Sequence, residues 1–500
     1  DRILARRVAI RLESWGIRVD DSAGRPLGKT VPGSFLDLVV EVISQDFAPA
    51  PLLSLLKHPL ARLTLPAATI RRAARALEII AFRTPYLGYG IDGLEAFVER
   101  AAKEVQSKKR RGRAVNRLWE EDWQAARDLI ARLRDAYAPL SALQIIDAPT
   151  DLRALTDAHI AVAEKLAATD ENDTDATQLW RDEAGQTAAL LFTSLADPEL
   201  RQPKLAPADY PEFYRALIGS EAVRPTIPTH PRISIWGPFE ARLQQPDIVV
   251  LGSLNEGVWP SAADPGPWLN RPMRADLGLP QPEERIGHAA HDFTQLFGAG
   301  QVYLTRAEKV DGNPTVPSRW LLRLEAVLAS LGLENTLEPR QPWLAWARHR
   351  DTIKARRSID APQPRPEIKL RPRRLSVSAI ETWIANPYAL FANRILGLEQ
   401  LPPVGQEPDA SLRGSIIHDA LGRFAEAHRN DLPDDIAGTL TAIAAGIFSE
   451  YESHPRIRAF WMSRFERFAE WFATVEPGLR DGVVETLAER NGAIVEIGDG

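Results

Sequence analysis

Cysteine is absent from this sequence of 500 residues. Its absence excludes disulfide bonds, thiol nucleophiles and thiolate metal ligands, and we expect a reducing, cytoplasmic setting. Long apolar segments are also absent, since runs such as 248–254 have the length of a strand rather than of a membrane span. An excess of positive charge is missing too: 61 Lys and Arg stand against 67 Asp and Glu, a net charge of -6. Because small DNA-binding domains are normally basic, any contact with nucleic acid must come from local charge.

The composition that remains is ordinary for a globular protein, with 44% hydrophobic and 26% charged residues. This length exceeds what one hydrophobic core usually holds, so we expect about three folded units. The sequence starts with Asp1 rather than Met, and we interpret it as part of a longer protein. Its patterns predict five segments: mixed α/β at 1–58, helical at 59–230, mixed α/β at 231–357, a Pro/Arg-rich linker at 358–374 and a further domain at 375–500.

Three local patterns add detail to these segments. The β-branched run at 248–251 predicts a central parallel strand that is covered on both faces. A basic cluster at 108–113 is either a DNA contact or, as charge runs usually are, a solvated loop. The chain after residue 482 predicts two strands joined near Asn491, a hairpin signal.

The most informative helix surrounds His418. Apolar residues recur at three- and four-residue steps, as at Ile416, Ala420 and Phe424, which predicts an amphipathic helix. His418 lies beside this apolar stripe, and Gly414 precedes it by one turn on the same face. An interior glycine costs a helix about 1 kcal/mol, so its presence needs a reason. A single histidine at a helix edge is, however, most often a surface or packing residue.

The wider motif carries a resemblance to nucleases. It comprises Ser376, Ser378 and Glu381, then Asn386-Pro387-Tyr388 and Phe391, then Arg413-Gly414-x-x-x-His418-x-x-Leu421. This pattern resembles the opening of RecB-family nuclease domains of the PD-(D/E)XK superfamily. The resemblance implies that His418 is a catalytic residue and a ligand of Mg²⁺, and that the catalytic carboxylates and lysine follow the predicted hairpin, beyond residue 500. Asn386 stands where many members have the first cysteine of an iron–sulfur cluster, so we expect no cluster.

Two other stretches resemble UvrD-like helicase motors. Residues 1–27 resemble motif IV, and Gly237-x-x-Glu240-Ala241-Arg242 with Asn255-Glu256-Gly257-Val258-Trp259-Pro260 resembles motif V, most of all in AddB-type subunits. The resemblance implies nucleotide binding by Glu240 and Arg242. It also implies DNA contacts at a set of four residues: Arg2, Arg6, Asn255 and Arg413. Two simpler interpretations stay open, a solvated basic helix at Arg2 and Arg6 and a surface pair between Glu240 and Arg242.

The motor motifs also depart from the helicase pattern. Ile235 and Trp236 replace an upstream histidine and lysine. Gln295 occupies the slot of an arginine that stabilises charge on the transferred phosphate, and a neutral amide cannot do so. These departures put ATP chemistry in doubt and predict a degenerate helicase half.

The prediction is therefore a multidomain α/β protein. It has a RecA-like parallel sheet of the UvrD 2A type, interrupted by a helical 2B-like insert and followed by the first part of a PD-(D/E)XK domain. The resemblance implies an AddAB-type subunit that processes double-strand-break ends. It would act as an Mg²⁺-dependent exonuclease beside an AddA-type partner that supplies ATP-driven movement, with the 500 residues alone inactive. Two alternatives remain, an active ATP-dependent helicase with a fused nuclease and a DNA-scanning scaffold without activity.

Overall fold

A computed structural model describes residues 1–84, 89–106, 113–145, 148–173, 176–196, 203–224, 229–338, 341–353, 355–406, 410–449 and 460–488. The basic residues 108–111 and the hairpin turn at Asn491 lie outside these ranges. The structure is mixed α/β and rich in helix, with small sheets. None of the helices within the described ranges combines the length and apolar character needed to cross a bilayer.

The α-helices of the described residues are, in chain order, α1 (Arg2–Glu13), α2 (Val31–Ser44), α3 (Pro49–Leu56), α4 (Ala67–Leu77), α5 (Gly90–Gln106), α6 (Arg113–Asn116), α7 (Glu120–Ile145), α8 (Leu152–Ala167), α9 (Asp182–Leu195), α10 (Tyr210–Ser220), α11 (Arg271–Asp276), α12 (Glu284–Phe297), α13 (Arg319–Ser330), α14 (Trp343–Asp351), α15 (Val377–Ala385), α16 (Pro387–Leu390), α17 (Ala410–Ala427), α18 (Ile436–Phe448) and α19 (Met462–Leu479). The strands are β1 (Asp20–Asp21), β2 (Arg25–Pro26), β3 (Thr150–Asp151), β4 (Lys204–Leu205), β5 (Ala222–Val223), β6 (Ser234–Ile235), β7 (Ile248–Leu251), β8 (Gln301–Leu304), β9 (Lys309–Val310) and β10 (Asn313–Pro314).

The helices and strands form two compact units. The first comprises Asp1–Pro26 and Ala222–Pro362, and the second comprises Leu27–Glu221 and Gln363–Gly500. The sequence placed the start of the helical insert at residue 59, whereas the helical unit starts at Leu27. The physical reason is that α2 buries Phe35 and Val39 and packs against α3, α8, α9 and α10.

In the first unit, β7 pairs in parallel with β8, from Ile248↔Gln301 to Leu251↔Leu304. The strand at 248–251 was predicted, and the structure confirms it. The prediction that β7 is covered on both faces is wrong: Val249 and Leu251 are buried, while Val250 is 63% exposed. The alternation follows from the pleat of a strand, which points successive side chains to opposite faces, and only one face packs on α12.

The other strands of the described residues also pair only in twos, with β1–β6 parallel and β2–β5, β3–β4 and β9–β10 antiparallel. The RecA-like layout predicted from the motor motifs therefore stays a prediction. The segment 358–374 is predominantly exposed and contains one short 3₁₀ turn, Ile368–Leu370.

In the second unit, a helical bundle surrounds a buried polar centre at His159. The side chain of His159 is fully buried, with Nδ1 3.1 Å from the Tyr210 hydroxyl and Nε2 3.0 Å from the Leu36 carbonyl oxygen. Burial lowers its pKa to about 4, so the imidazole is neutral at pH 7.

A separate hydrophobic cluster of the second unit joins α17, α18 and α19. Ile416, Ala420 and Phe424 of α17 are buried. They pack with a set of residues from the other two helices: Leu440, Ala444, Ile447, Phe465 and Ala469. This packing fixes which side of α17 faces the core and which side faces outward.

Candidate functional site

The candidate site lies on the outward side of α17. His418 is exposed there, on the opposite side of the helix from the buried residues Ile416, Ala420 and Phe424. Gly414 and Gly422 stand one turn before and one turn after His418, and four-residue steps place all three on the same face. Apart from the backbone of α17 itself, a Cβ added to either glycine would meet no atom of the described residues within 4 Å. The two glycines therefore leave the helix surface open on both sides of His418 among those residues.

This face forms the floor of an open cleft of about 530 Å³. Its lining comprises Gly414, Ser415, His418, Asp419, Gly422, Arg423, Glu426 and Ala488. All except Ala488 belong to α17, and Ala488 comes from the chain that follows α19. The sequence predicted His418 and Gly414 as parts of one face, and the structure places them together in this cleft.

The charged residues of the cleft are only partly engaged with one another. Arg423 forms a two-point ion pair with Asp419, with Nε–Oδ1 at 3.2 Å and Nη2–Oδ2 at 2.7 Å. Both side chains are about half exposed, so this pair contributes little to stability. The cleft thus contains an imidazole, two carboxylates and a guanidinium.

The donor set can be tested against a divalent cation. Mg²⁺ prefers a nearly octahedral set of oxygen ligands. Within the described ranges, no three His, Asp or Glu side chains are grouped so that they could hold a metal ion. The described acids beside His418 therefore do not form an Mg²⁺ site by themselves.

Comparison with known families bears directly on this part of the chain. Residues 374–494 match the model of the PD-(D/E)XK nuclease superfamily. The chain carries a PD-(D/E)XK nuclease domain. The match includes His418, the cleft and the whole of α15–α19. Enzymes of this superfamily typically use Mg²⁺ or a similar divalent ion, so hydrolysis of nucleic acid is the type of activity that the nuclease domain suggests.

Individual relatives are longer proteins. A stretch of 297 residues is 25% identical to an uncharacterized protein of Rickettsia conorii and covers 59% of this chain and 33% of that protein. An uncharacterized protein of Rickettsia felis is 25% identical over 273 residues, which cover 53% of this chain and 30% of that protein. The chain thus spans about a third of the length of these curated relatives.

The motif that opens the nuclease domain has local structural roles. The Ser376 hydroxyl caps α15 by accepting a hydrogen bond from the Ala379 amide at 3.2 Å. Asn386 caps α16 by accepting a hydrogen bond from the Ala389 amide at 3.1 Å. The serine and asparagine of the motif therefore specify two helix starts.

The predicted nucleotide-binding residues lie in the first unit and do not pair with each other. Arg242 forms a two-point ion pair with Asp292 of α12, with Nε–Oδ1 at 2.7 Å and Nη2–Oδ2 at 3.2 Å. Asp292 is buried, and its hydrogen bond raises the pKa of Arg242. Glu240 is exposed, and its carboxylate lies against Gly237. Nucleotide binding by these two residues stays a prediction.

The predicted DNA contacts have different surroundings. Arg2 and Arg6 are exposed on α1, and Arg413 is partly buried on α17, one residue before the first cleft glycine. Asn255 is only 5% exposed. Its amide donates to the Ala307 carbonyl and to the Thr315 hydroxyl, both at 2.8 Å, and accepts from the Ala307 amide at 3.0 Å. These bonds give Asn255 a structural role, and the DNA contacts stay predictions.

Sequence reasoning missed two features of the site. Gly422 could have been found from the sequence, because the spacing Gly-x-x-x-His-x-x-x-Gly places both glycines on the same helix face as the histidine. Arg480 connects α19 to the end of α17. It could not have been found from a local sequence pattern, because its partner His428 is 52 residues away in sequence. Its side chain is 10% exposed.

Proposed function

We propose that this protein is the DNA-cutting subunit of an AddAB-type helicase–nuclease that processes double-strand-break ends. In this proposal His418 is the catalytic residue of the cleft. Its imidazole is one ligand of a divalent cation, which we propose to be Mg²⁺. The protein acts in the cytoplasm beside an AddA-type partner, which supplies ATP-driven movement along DNA. Its own motor-like half serves as a scaffold.

The observation that carries the proposal is the placement of His418. It is exposed between two glycines on the outward face of α17, inside a domain that matches a nuclease superfamily. The core packing of α17 uses the opposite face, so this face is not needed to bury apolar surface. An open cleft beside the imidazole leaves room for a phosphodiester backbone.

The scaffold role of the first unit is supported by Arg242. Its guanidinium is held by the buried Asp292 at two points, which leaves fewer donors for a nucleotide. Gln295, on the same helix as Asp292, adds to this argument because it cannot supply positive charge to a phosphate. Movement along DNA would then depend on the partner.

The test is His418→Ala in the intact subunit, assayed beside its AddA-type partner as Mg²⁺-dependent degradation of linear duplex DNA. We expect degradation to be lost while DNA binding, measured by fluorescence anisotropy, stays at the wild-type level. His291→Ala is the matched control because His291 is also exposed on a helix, α12. Wild-type digestion by His418→Ala would rule out the assigned role, and loss of digestion by both variants would show that the effect is not specific to the cleft.

A further inference from the structure

The chain that follows α19 returns to the His418 cleft. The Thr486 amide donates a hydrogen bond to the Arg429 carbonyl at 2.9 Å, just beyond the end of α17. Two residues later, Ala488 lines the cleft. The path of residues 481–488 is therefore tied to the carboxyl end of α17 before it reaches the cleft.

Arg480 stands at the start of this path. Its Nε donates to the Glu476 carboxylate at 2.7 Å, and its Nη1 donates to the His428 carbonyl oxygen. The side chains of Arg480 and Glu476 are only 10% and 12% exposed. A cation that binds a carbonyl next to the carboxyl end of a helix is also favoured by the helix dipole. One buried guanidinium thus joins the last turn of α19 to the end of α17.

Stability alone does not account for this arrangement. Nη2 of Arg480 is buried and has no hydrogen-bond partner among the described residues. Burying a charged donor without an acceptor is costly. A smaller or apolar residue would avoid that cost but would lose the connection between the two helices. The planar fork of arginine reaches two acceptors at a fixed angle, which the point charge of lysine does not reproduce.

We propose that Arg480 is a positioning residue of the nuclease site. It fixes the end of α19 on the end of α17 and so directs residues 481–488 toward the face that carries His418. Its effect on cleavage rests on the function proposed above. Its effect on the position of Ala488 is a geometric property that is measured without any cleavage.

The cysteine-free sequence permits a direct measurement of position. We introduce Glu426→Cys and Ala488→Cys, two residues that line the cleft, and measure the rate of intramolecular coupling by a short thiol-specific cross-linker. Arg480→Ala in this background should slow coupling roughly tenfold, since it removes two charge-assisted hydrogen bonds. Arg480→Lys should give an intermediate rate. Arg467→Ala, on an exposed residue of α19, should leave the rate unchanged.

Circular dichroism and a thermal melt establish that each variant is folded. Coupling of folded Arg480→Ala at the wild-type rate would overturn the positioning role. If Arg480→Ala does not fold, Arg480→Lys decides the question, and an unchanged rate in that variant would likewise overturn it.

A cleavage assay then separates positioning from general stability. In folded Arg480→Lys we expect a lower kcat and a higher Mg²⁺ concentration for half-maximal cleavage, with KM for DNA unchanged. If Arg480 had a purely structural role, the substitution would reduce the folded fraction. The kcat per folded molecule and the Mg²⁺ concentration for half-maximal cleavage would then stay unchanged. If the intact wild-type subunit beside its partner cleaves no DNA, the proposed function fails, while the cross-linking rates still decide the position of residues 481–488.

Discussion

Gly422→Ala is expected to make the protein more stable and less active at the same time. Gly422 lies inside α17, one turn after His418, and an added Cβ would meet no atom within 4 Å. Alanine is favoured over glycine inside a helix by about 1 kcal/mol. Without a clash, that difference should appear almost fully in the free energy of unfolding, as a rise in Tm of roughly 2–4 °C.

The same methyl group would stand in the cleft beside the imidazole. If DNA or a cation approaches His418 closely over Gly422, the added methyl displaces it, and a misfit of this size costs about 1–3 kcal/mol. We therefore expect kcat/KM for DNA degradation to fall roughly tenfold or more. The assay combines a thermal melt with a titration of linear duplex DNA at saturating Mg²⁺.

Gly446→Ala is the matched control for this prediction. Gly446 is an exposed helical glycine in α18 with no atom within 4 Å of an added Cβ, and it lies outside the cleft. It should raise Tm by a similar amount and leave cleavage unchanged. If Gly422→Ala is stabilised and cleaves DNA as the wild type does, close approach over this glycine is refuted. If it is destabilised, the space above Gly422 is not open and the geometric reasoning fails.

Two further predictions concern stability. Burial lowers the pKa of His159 from an ordinary value of 6.5 to about 4, so the unfolded state takes up the proton first and the folded state loses stability as the pH falls from 6.5 toward 4. Unfolding by denaturant should therefore be easier at pH 4.5 than at pH 7 by roughly 2–3 kcal/mol. A His159→Gln variant that keeps the full pH dependence would disprove this. Asn255→Ala should cost about 2–3 kcal/mol because it leaves the Ala307 amide without its acceptor; weaker DNA binding without a fall in Tm would instead support the predicted DNA contact.

Local periodicity predicted the elements on which the site depends. The apolar spacing around Ile416 predicted the helix that the structure gives as Ala410–Ala427, and the run at Ile248 predicted β7. What covers an element could not be predicted in the same way. The run Ile248–Leu251 suggested burial on both faces, but Ile248 and Val250 are 55% and 63% exposed. A continuous apolar run indicates that its residues favour a β-strand. It does not indicate which helices or strands cover each face of that strand.

The Leu27 limit of the compact helical unit and the Arg480–His428 contact do not follow from local sequence patterns, for a related reason. Both depend on contacts between residues far apart in sequence: Arg480 meets His428, and Arg215 of α10 pairs with Asp37 of α2 at 2.8 Å. No spacing rule within one helix or strand encodes such contacts. The helix caps, by contrast, are local, and Ser376 and Asn386 in the quoted motif begin helices in the way that serine and asparagine usually do.

Three locally unfavourable features of the nuclease domain lie on α17 and at the end of α19. Gly414 and Gly422 each forgo about 1 kcal/mol of helix stability, and no packing among the described residues gains from them. Arg480 holds a buried donor without an acceptor among those same residues. Sequences that fold well depart from local rules chiefly where function requires it. Gly446 of α18 is also an open helical glycine and lies outside the cleft, so the glycines of α17 argue for a ligand face only together with the exposed imidazole that stands between them.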